Sequence, residues 1–247
     1  AYRALGEEAY LQKALKNGAF LQQHAVQANG RLWRIHKDGK SSINAFLDDY
    51  ALTAQAFVAL YQVTFEEKWL LQADQLLQYA LAHFFDKKTG MFYDTSDEDD
   101  PLITRKMQLA DDVVPGSNSS MATALFLLGT YLTNDDYLKK AEQMLHNMQP
   151  EIGKAPAFYA NWLSALTWQV RTPYEVAIMG GEFAAARREM DQHYLPTVLL
   201  LGGKTEGSLE LLKYKLVPGQ TTIYVCQNKV CKLPVTTVSA ALKLIER

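Results

Sequence analysis

Glu66-Glu67-Lys68-Trp69-Leu70, followed by Ala73, decides the fold, because the chain writes this pattern three times. Glu7-Glu8-Ala9-Tyr10-Leu11 with Ala14 is one copy, and Asn134-Asp135-Asp136-Tyr137-Leu138 with Ala141 is another. Each copy puts acidic residues where the first turn of a helix favours negative charge. An aromatic, a Leu and an Ala then follow at helical spacing, giving an apolar stripe. Recurrence at roughly 60–70 residues matches a two-helix repeat.

Between the copies lie more uniformly apolar segments, residues 46–63, 119–132 and 157–170. A helix apolar on all sides is buried. The expectation is therefore a set of hairpins, each pairing an amphipathic outer helix with a buried inner one. About six helices precede Pro173, making three hairpins of an α/α toroid. Gly30-Arg31-Leu32-Trp33 and Gly90-Met91-Phe92-Tyr93 echo each other as short aromatic-bearing extended stretches. The connection 86–116 is long enough to suggest a functional loop, and its acidic run Asp97-Glu98-Asp99-Asp100 reads as a solvated tip.

After Pro173 the texture changes. Residues 174–179 and 197–201 read as strands around a helix over 182–193, a βαβ-like unit. A further strand is expected over 221–226 and a last helix over 238–245. The fold class is thus mainly α: a partial α/α toroid over residues 1–172, with a small C-terminal α/β segment, 173–247, packed on it. The chain opens at Ala1 without an initiator Met and enters a helical pattern at once, so we expect a fragment of a longer protein.

Composition narrows the function. With 247 residues, 48% of them hydrophobic, there is material for a sizeable core. A net charge of −2 gives no electrostatic reason to expect nucleic acid or an anionic membrane as partner. No apolar run approaches the roughly 18 residues of a membrane span. Two cysteines, Cys226 and Cys231, are too few for a disulfide framework, and a reducing cytoplasmic setting is the default. Their spacing suits neither a two-residue redox motif nor a four-ligand zinc site, so two buried thiols are expected. Gly180-Gly181 lacks the rest of a dinucleotide fingerprint. The sequence implies no metal and no cofactor.

Several separated motifs carry a resemblance. They are Leu47-Asp48-Asp49-Tyr50-Ala51, Thr64-Phe65 with Trp69-Leu70, and Gly90-Met91-Phe92-Tyr93-Asp94-Thr95. Arg105-Lys106, Asp111-Asp112, Pro115-Gly116-Ser117-Asn118-Ser119 and Tyr224-Val225-Cys226-Gln227-Asn228 through Cys231 to Thr236 complete the set. With these the chain resembles the toroid part of the thioredoxin-domain-containing family related to spermatogenesis-associated protein 20. That family commonly reads Pro-Ser-Gly-Asn-Ser where this chain has Pro115-Gly116-Ser117. The resemblance implies a fold similar to N-acylglucosamine 2-epimerases and six-hairpin glycosidases, and an N-terminal thioredoxin-like domain that this chain does not contain.

Asp48, Asp49 and Tyr50 open the first inner helix, and Asp111 and Asp112 hold the corresponding place before the next. Paired carboxylates, one protonated and one ionised, are what glycoside hydrolysis requires. Asp is equally a preferred cap and first-turn residue. Asn118 and Ser119 are candidate partners for ligand hydroxyls, with Ser117 a competing N-cap. Arg105 suits a ligand carboxylate or an ion pair with Asp111. Phe92 and Tyr93, with Trp33, are candidate sugar-stacking rings that equally suit a core. His24, His83 and His146 fall on outer helices, His36 on a loop and His193 in the α/β segment, which disfavours an epimerase site. The function expected is a carbohydrate-active or carbohydrate-binding domain with a sugar or other small polar ligand. The rival is a non-catalytic scaffold serving the thioredoxin-like module.

Overall fold

A computed structural model describes residues 1–245. It is mainly α, a partial α/α toroid of helical hairpins followed by a small α/β segment. The chain divides into two compact units. Lys16–Val58 and Trp69–Gln169 form one. Ala1–Leu15, Ala59–Lys68 and the described residues from Val170 onward form the other.

In chain order, α1 is Tyr2–Leu5 and α2 is Glu8–His24, followed by the hairpin β1 (Trp33–Lys37) and β2 (Lys40–Asn44). The hairpin turns at Asp38-Gly39, both with positive φ, the geometry that matches the twist of paired strands and that glycine adopts without strain. His36, expected on a loop, is therefore on a strand, opposite Ser41. Inner helix α3 (Leu47–Thr64) and outer helix α4 (Lys68–His83) make the next pair. The two-residue strands β3 (Phe85–Asp86) and β4 (Met91–Phe92) then lead into the long connection. Inner helix α5 (Ser117–Tyr131), outer helix α6 (Asp135–Lys154) and α7 (Ala160–Val170) complete the helical part.

The letters of the repeat translate into packing. Trp69, Leu70 and Ala73 of α4 are buried, as are Tyr137 and Ala141 of α6. Asp135 and Asp136 are exposed in the first turn of α6, whereas Glu66 and Glu67 precede α4, whose first turn holds no acidic residue; Asn134 caps α6 by accepting from the amides of Asp136 and Tyr137. α5 buries every residue except Thr123, Phe126 and Thr130, as its all-round apolar pattern requires. Two helices depart from expectation. In α2 the aromatic of the pattern, Tyr10, is 41% exposed. In α7 only Trp162 and Ala165 are buried, so the third inner helix is covered on one face rather than all round.

The long connection is not a free loop. Its acidic run is solvated as expected, with Asp97, Glu98 and Asp100 exposed, but it is also tethered: Tyr79 hydroxyl donates to Glu98 (2.6 Å) and Asn44 donates to Asp99 (2.8 Å). Asp97 lies 2.8 Å from His83 Nδ1.

In the other unit, β5 (Tyr174–Met179), α8 (Phe183–Asp191) and β6 (Val198–Gly203) form the expected βαβ unit, with β5 and β6 parallel. β7 (Thr222–Gln227) adds antiparallel to β5, and β8 (Val230–Cys231) pairs with β7, giving the order β6-β5-β7-β8. β5 is buried along its whole length, as the centre of a sheet covered on both faces must be. α9 (Val238–Leu244) follows, capped by the Thr237 hydroxyl. Cys226 and Cys231 form a disulfide, and Cys231 is exposed. The expectation of two buried thiols is corrected: the short β7–β8 turn brings the two sulfurs directly across from each other.

Candidate functional site

The acidic candidates of the helical unit, with Tyr50, Asn118 and Ser119, lie at the openings of α3 and α5, whereas Arg105 and the Tyr93 ring against it sit by the end of α4. α3 starts after an extended stretch that leaves Asp48 and Asp49 in its first turn. Asp49 Oδ2 reaches back to accept the Phe46 amide (3.0 Å), the returning half of a capping box. The same oxygen takes Arg34 Nη1 of β1 at 2.6 Å. Asp48 Oδ1 lies 3.5 Å from that same nitrogen. Both carboxylates remain partly open, at 37% and 27% side-chain exposure. Burial raises the Asp49 carboxyl above its ordinary value of 3.8 and the Asp48 charge adds to this, against the lowering by the Phe46 amide and Arg34. The Arg34 guanidinium also lies 4.7 Å from the centre of the Phe46 ring, a half-open aromatic. Neither Arg34 nor Phe46 stood out in the sequence. The available signal was an arginine two residues after Gly-Arg-Leu in the extended echo, on the strand that leads into the acidic pair.

Tyr50 is fully buried. Its hydroxyl accepts the Leu32 amide at 2.8 Å, and its ring stacks on Tyr79 with centres 5.4 Å apart. Burial pushes its hydroxyl far above the usual tyrosine range. It anchors the approach to α3 from below.

The opening of α5 is built differently. Asp111 is buried and accepts from three sides: Oδ1 takes the Gly116 amide (2.9 Å) and the Ser119 hydroxyl (2.7 Å), and Oδ2 takes the Asn161 amide (2.9 Å). Burial would raise its carboxyl, but these hydrogen bonds outweigh burial and hold it below the ordinary 3.8. One side chain therefore closes the amide-rich starts of both α5 and α7. Gly116 is required by close approach: a Cβ there would meet Ala110 O at 2.8 Å. Asp112 is exposed.

Asn118 is fully buried and pairs with Phe92 as a strand would, accepting its amide (2.8 Å) and donating to its carbonyl (2.9 Å). A second donation goes to Gln108 O (3.1 Å). Ser119 donates to Asp111 and is buried. The competing reading of Ser117 as N-cap is corrected: Gly116 occupies that place, and the Ser117 hydroxyl donates to Asp94 Oδ1 (2.8 Å). Phe92 is fully buried, with Phe85 edge-on to it. Tyr93 is half-buried and carries the Arg105 guanidinium 4.3 Å from its ring centre. Arg105 makes no pair with Asp111. Its Nη2 donates to the carbonyls of His83 and Thr95, tying the long connection to the end of α4.

Asp94 is the residue that sequence reasoning missed. Its carbonyl accepts the Leu47 amide at the start of α3 (3.0 Å), and its amide donates to Lys106 O (2.8 Å). Its Oδ1 accepts the Gln108 amide and the Ser117 hydroxyl at the start of α5. It joins the two openings. Among the described residues no group of three or more His, Cys, Asp or Glu side chains is placed to hold a metal ion, and no helix is long and apolar enough to cross a membrane.

No family model matches the chain. Spermatogenesis-associated protein 20 of Homo sapiens is 25% identical over 262 residues, covering 98% of this chain and 33% of that protein. The Mus musculus protein of the same name is 25% identical over 267 residues, covering 99% of this chain and 34% of its own length. The chain thus spans about a third of the length of the curated relatives it matches. A GH76 α-mannanase of Bacteroides thetaiotaomicron superposes with a TM-score of 0.54 at 14% identity, covering 77% of this chain and 52% of the enzyme. Homologues named spermatogenesis-associated protein 20 therefore cover this chain almost end to end, on an α/α-toroid fold of the six-hairpin glycosidase type.

Proposed function

We propose that this chain is a carbohydrate-binding or carbohydrate-processing toroid domain, whose ligand-contacting face is the opening of α3. The observation that carries the reading is the Asp48–Asp49 pair on one Arg34 nitrogen, partly open to solvent, with Asp49 favouring its protonated form more than an ordinary aspartate. A carboxyl with a raised pKa beside a second carboxylate is the arrangement that lets one group give a proton while the other carries charge. Arg34 and the Phe46 ring beside it supply a fork of donors and an apolar face, the two surfaces a sugar ring presents partners for. The likeness to a GH76 α-mannanase makes α-linked mannose oligosaccharides the first ligands to try. Tyr93 and Arg105 would border the ligand from the long connection, while Asp111, Asn118 and Ser119 hold the frame.

The test is a thermal-shift and calorimetric screen of sugars against the wild type and Asp49→Asn. A ligand that raises the melting temperature of the wild type and not of the variant supports the reading, and product analysis then separates binding from turnover. An identical profile for both proteins across the screen would sink it. That outcome would favour the second reading, a scaffold serving a thioredoxin-like module. Its support is the number of candidate polar groups (Tyr50, Asp111, Asn118, Ser119) spent on the chain's own backbone.

A further inference from the structure

The Cys226–Cys231 disulfide joins residues only five apart, already held opposite each other by the β7–β8 pairing. The turn between them, Asn228-Lys229, has both residues at positive φ, so the hairpin closes through its own backbone geometry. A cross-link over so short a loop removes the least chain entropy a disulfide can remove, and a staple for stability belongs between distant segments. The two sulfurs also differ. Cys226 is 4% exposed, on the strand next to Glu175 of β5. Cys231 is exposed on a two-residue edge strand. Both line a small cavity with Glu175, Lys215 and Lys229. Burial holds the Lys215 ammonium below its ordinary value and the Glu175 carboxyl above its own, with the attraction between the two charges working against burial in each case.

We propose that Cys226–Cys231 is a thiol-exchange site, opened by attack of an external aliphatic thiol of the glutathione type on the sulfur of Cys231, the exposed residue of the pair. The attacking thiolate forms a new S–S bond to Cys231, and the Cys226–Cys231 bond breaks. Cys226 leaves as the thiolate, facing Lys215 and Lys229, and takes up the proton the attacking thiol gave up. A second thiol then attacks the mixed disulfide, giving Cys231 thiol and the oxidised external disulfide. Two thiols are oxidised and one disulfide is reduced. The direction is set by access, since only Cys231 can be approached, and by the lysines that face the sulfur that leaves. Opening the bond removes the covalent tie of β8 to β7 and leaves its two residues held by the turn and the β7–β8 ladder.

The experiment incubates the native chain with reduced and oxidised glutathione at varied ratio, traps free thiols with a large excess of N-ethylmaleimide at neutral pH, and maps the peptides by mass. The expected intermediate carries glutathione on Cys231 and maleimide on Cys226, in at least ten-fold excess over the reverse. Equal labelling of the two cysteines, or a disulfide opened only after denaturation, overturns the proposal. Cys226→Ser and Cys231→Ser give a second readout. Oxidised glutathione should load Cys231 in the first at least ten-fold faster than it loads Cys226 in the second, and comparable rates overturn the proposal. If either variant fails to fold by circular dichroism, the wild-type mapping decides. Lys215→Gln combined with Lys229→Gln should slow the first exchange several-fold at fixed pH, and an unchanged rate removes the lysines from the mechanism.

Discussion

At the start of α3, Asp48 and Asp49 meet an arginine across partly open surface. At the start of α5, Asp111 is enclosed and its oxygens are taken by two backbone amides and a hydroxyl. The residue types and their place before an inner helix are alike. What differs is the number of donors the surrounding chain supplies. Where Gly116, Ser119 and Asn161 converge, the carboxylate becomes a joint and its pKa falls. Where one amide and one side chain reach it, the carboxylate keeps capacity for something else and its pKa rises. The lesson is that an acidic pair at a repeated position is read by its donors, and these come from segments up to 50 residues away.

The largest effect that would break this comparison is Asp111→Ala. It strands the buried Gly116 amide and the part-buried Asn161 amide, each costing about 1–3 kcal/mol, while the Ser119 hydroxyl keeps the Gly116 carbonyl, so a loss of roughly 3 kcal/mol is expected by urea denaturation. Asp49→Asn should cost under about 1 kcal/mol, because an exposed ion pair contributes little and the amide oxygen still accepts from Phe46. Comparable losses at the two sites would erase the distinction. Asn118→Ala, which unpairs both backbone groups of Phe92, should cost about 2 kcal/mol in the same assay.

Acid unfolding gives a smaller effect, of opposite sign at the two sites. Asp111 has a depressed folded pKa, so its contribution is complete above the ordinary 3.8 and is lost as the pH falls through the lower folded value. Asp49 has a raised folded pKa, so its contribution is complete below 3.8 and is lost as the pH rises through the folded value. Stability curves of Asp111→Asn and Asp49→Asn against pH should therefore diverge from wild type in opposite directions. The smallest effect is electrostatic: Arg34→Gln should raise the Asp49 titration further, since Arg34 lowers it, as followed by carboxyl NMR. A downward move would show that Arg34 does not face Asp49 in solution.

Much of the fold was legible because it rests on local pattern. Acidic starts and aromatic-Leu-Ala stripes specify helices, and β-branched runs ending in Gly-Gly specify the parallel pair. What was not legible depends on meetings between distant residues. Arg105 looked like a partner for Asp111 because both are charged and near in sequence, yet its geometry suits two carbonyls at the end of α4. α7 read as buried because its letters are apolar, while burial depends on what packs against it. Asp94 carries no pattern, because its role is to accept and donate between three segments. The cysteines' spacing matched no familiar motif, and only the β7–β8 register brings them together.

The pairing of Asn118 with Phe92 has a consequence for the order of folding. These residues are 26 apart, and between them runs a connection with no helix of its own. α4 with its strand stub, and α5 with α6, can each gather from near-neighbour contacts. The Asn118 bond forms only when the intervening chain has paid its closure entropy, which grows slowly with length but must be met before the bond returns anything. The docking of α5 is therefore expected as a late kinetic step. Asn118→Ala should accelerate unfolding while leaving the refolding rate nearly unchanged.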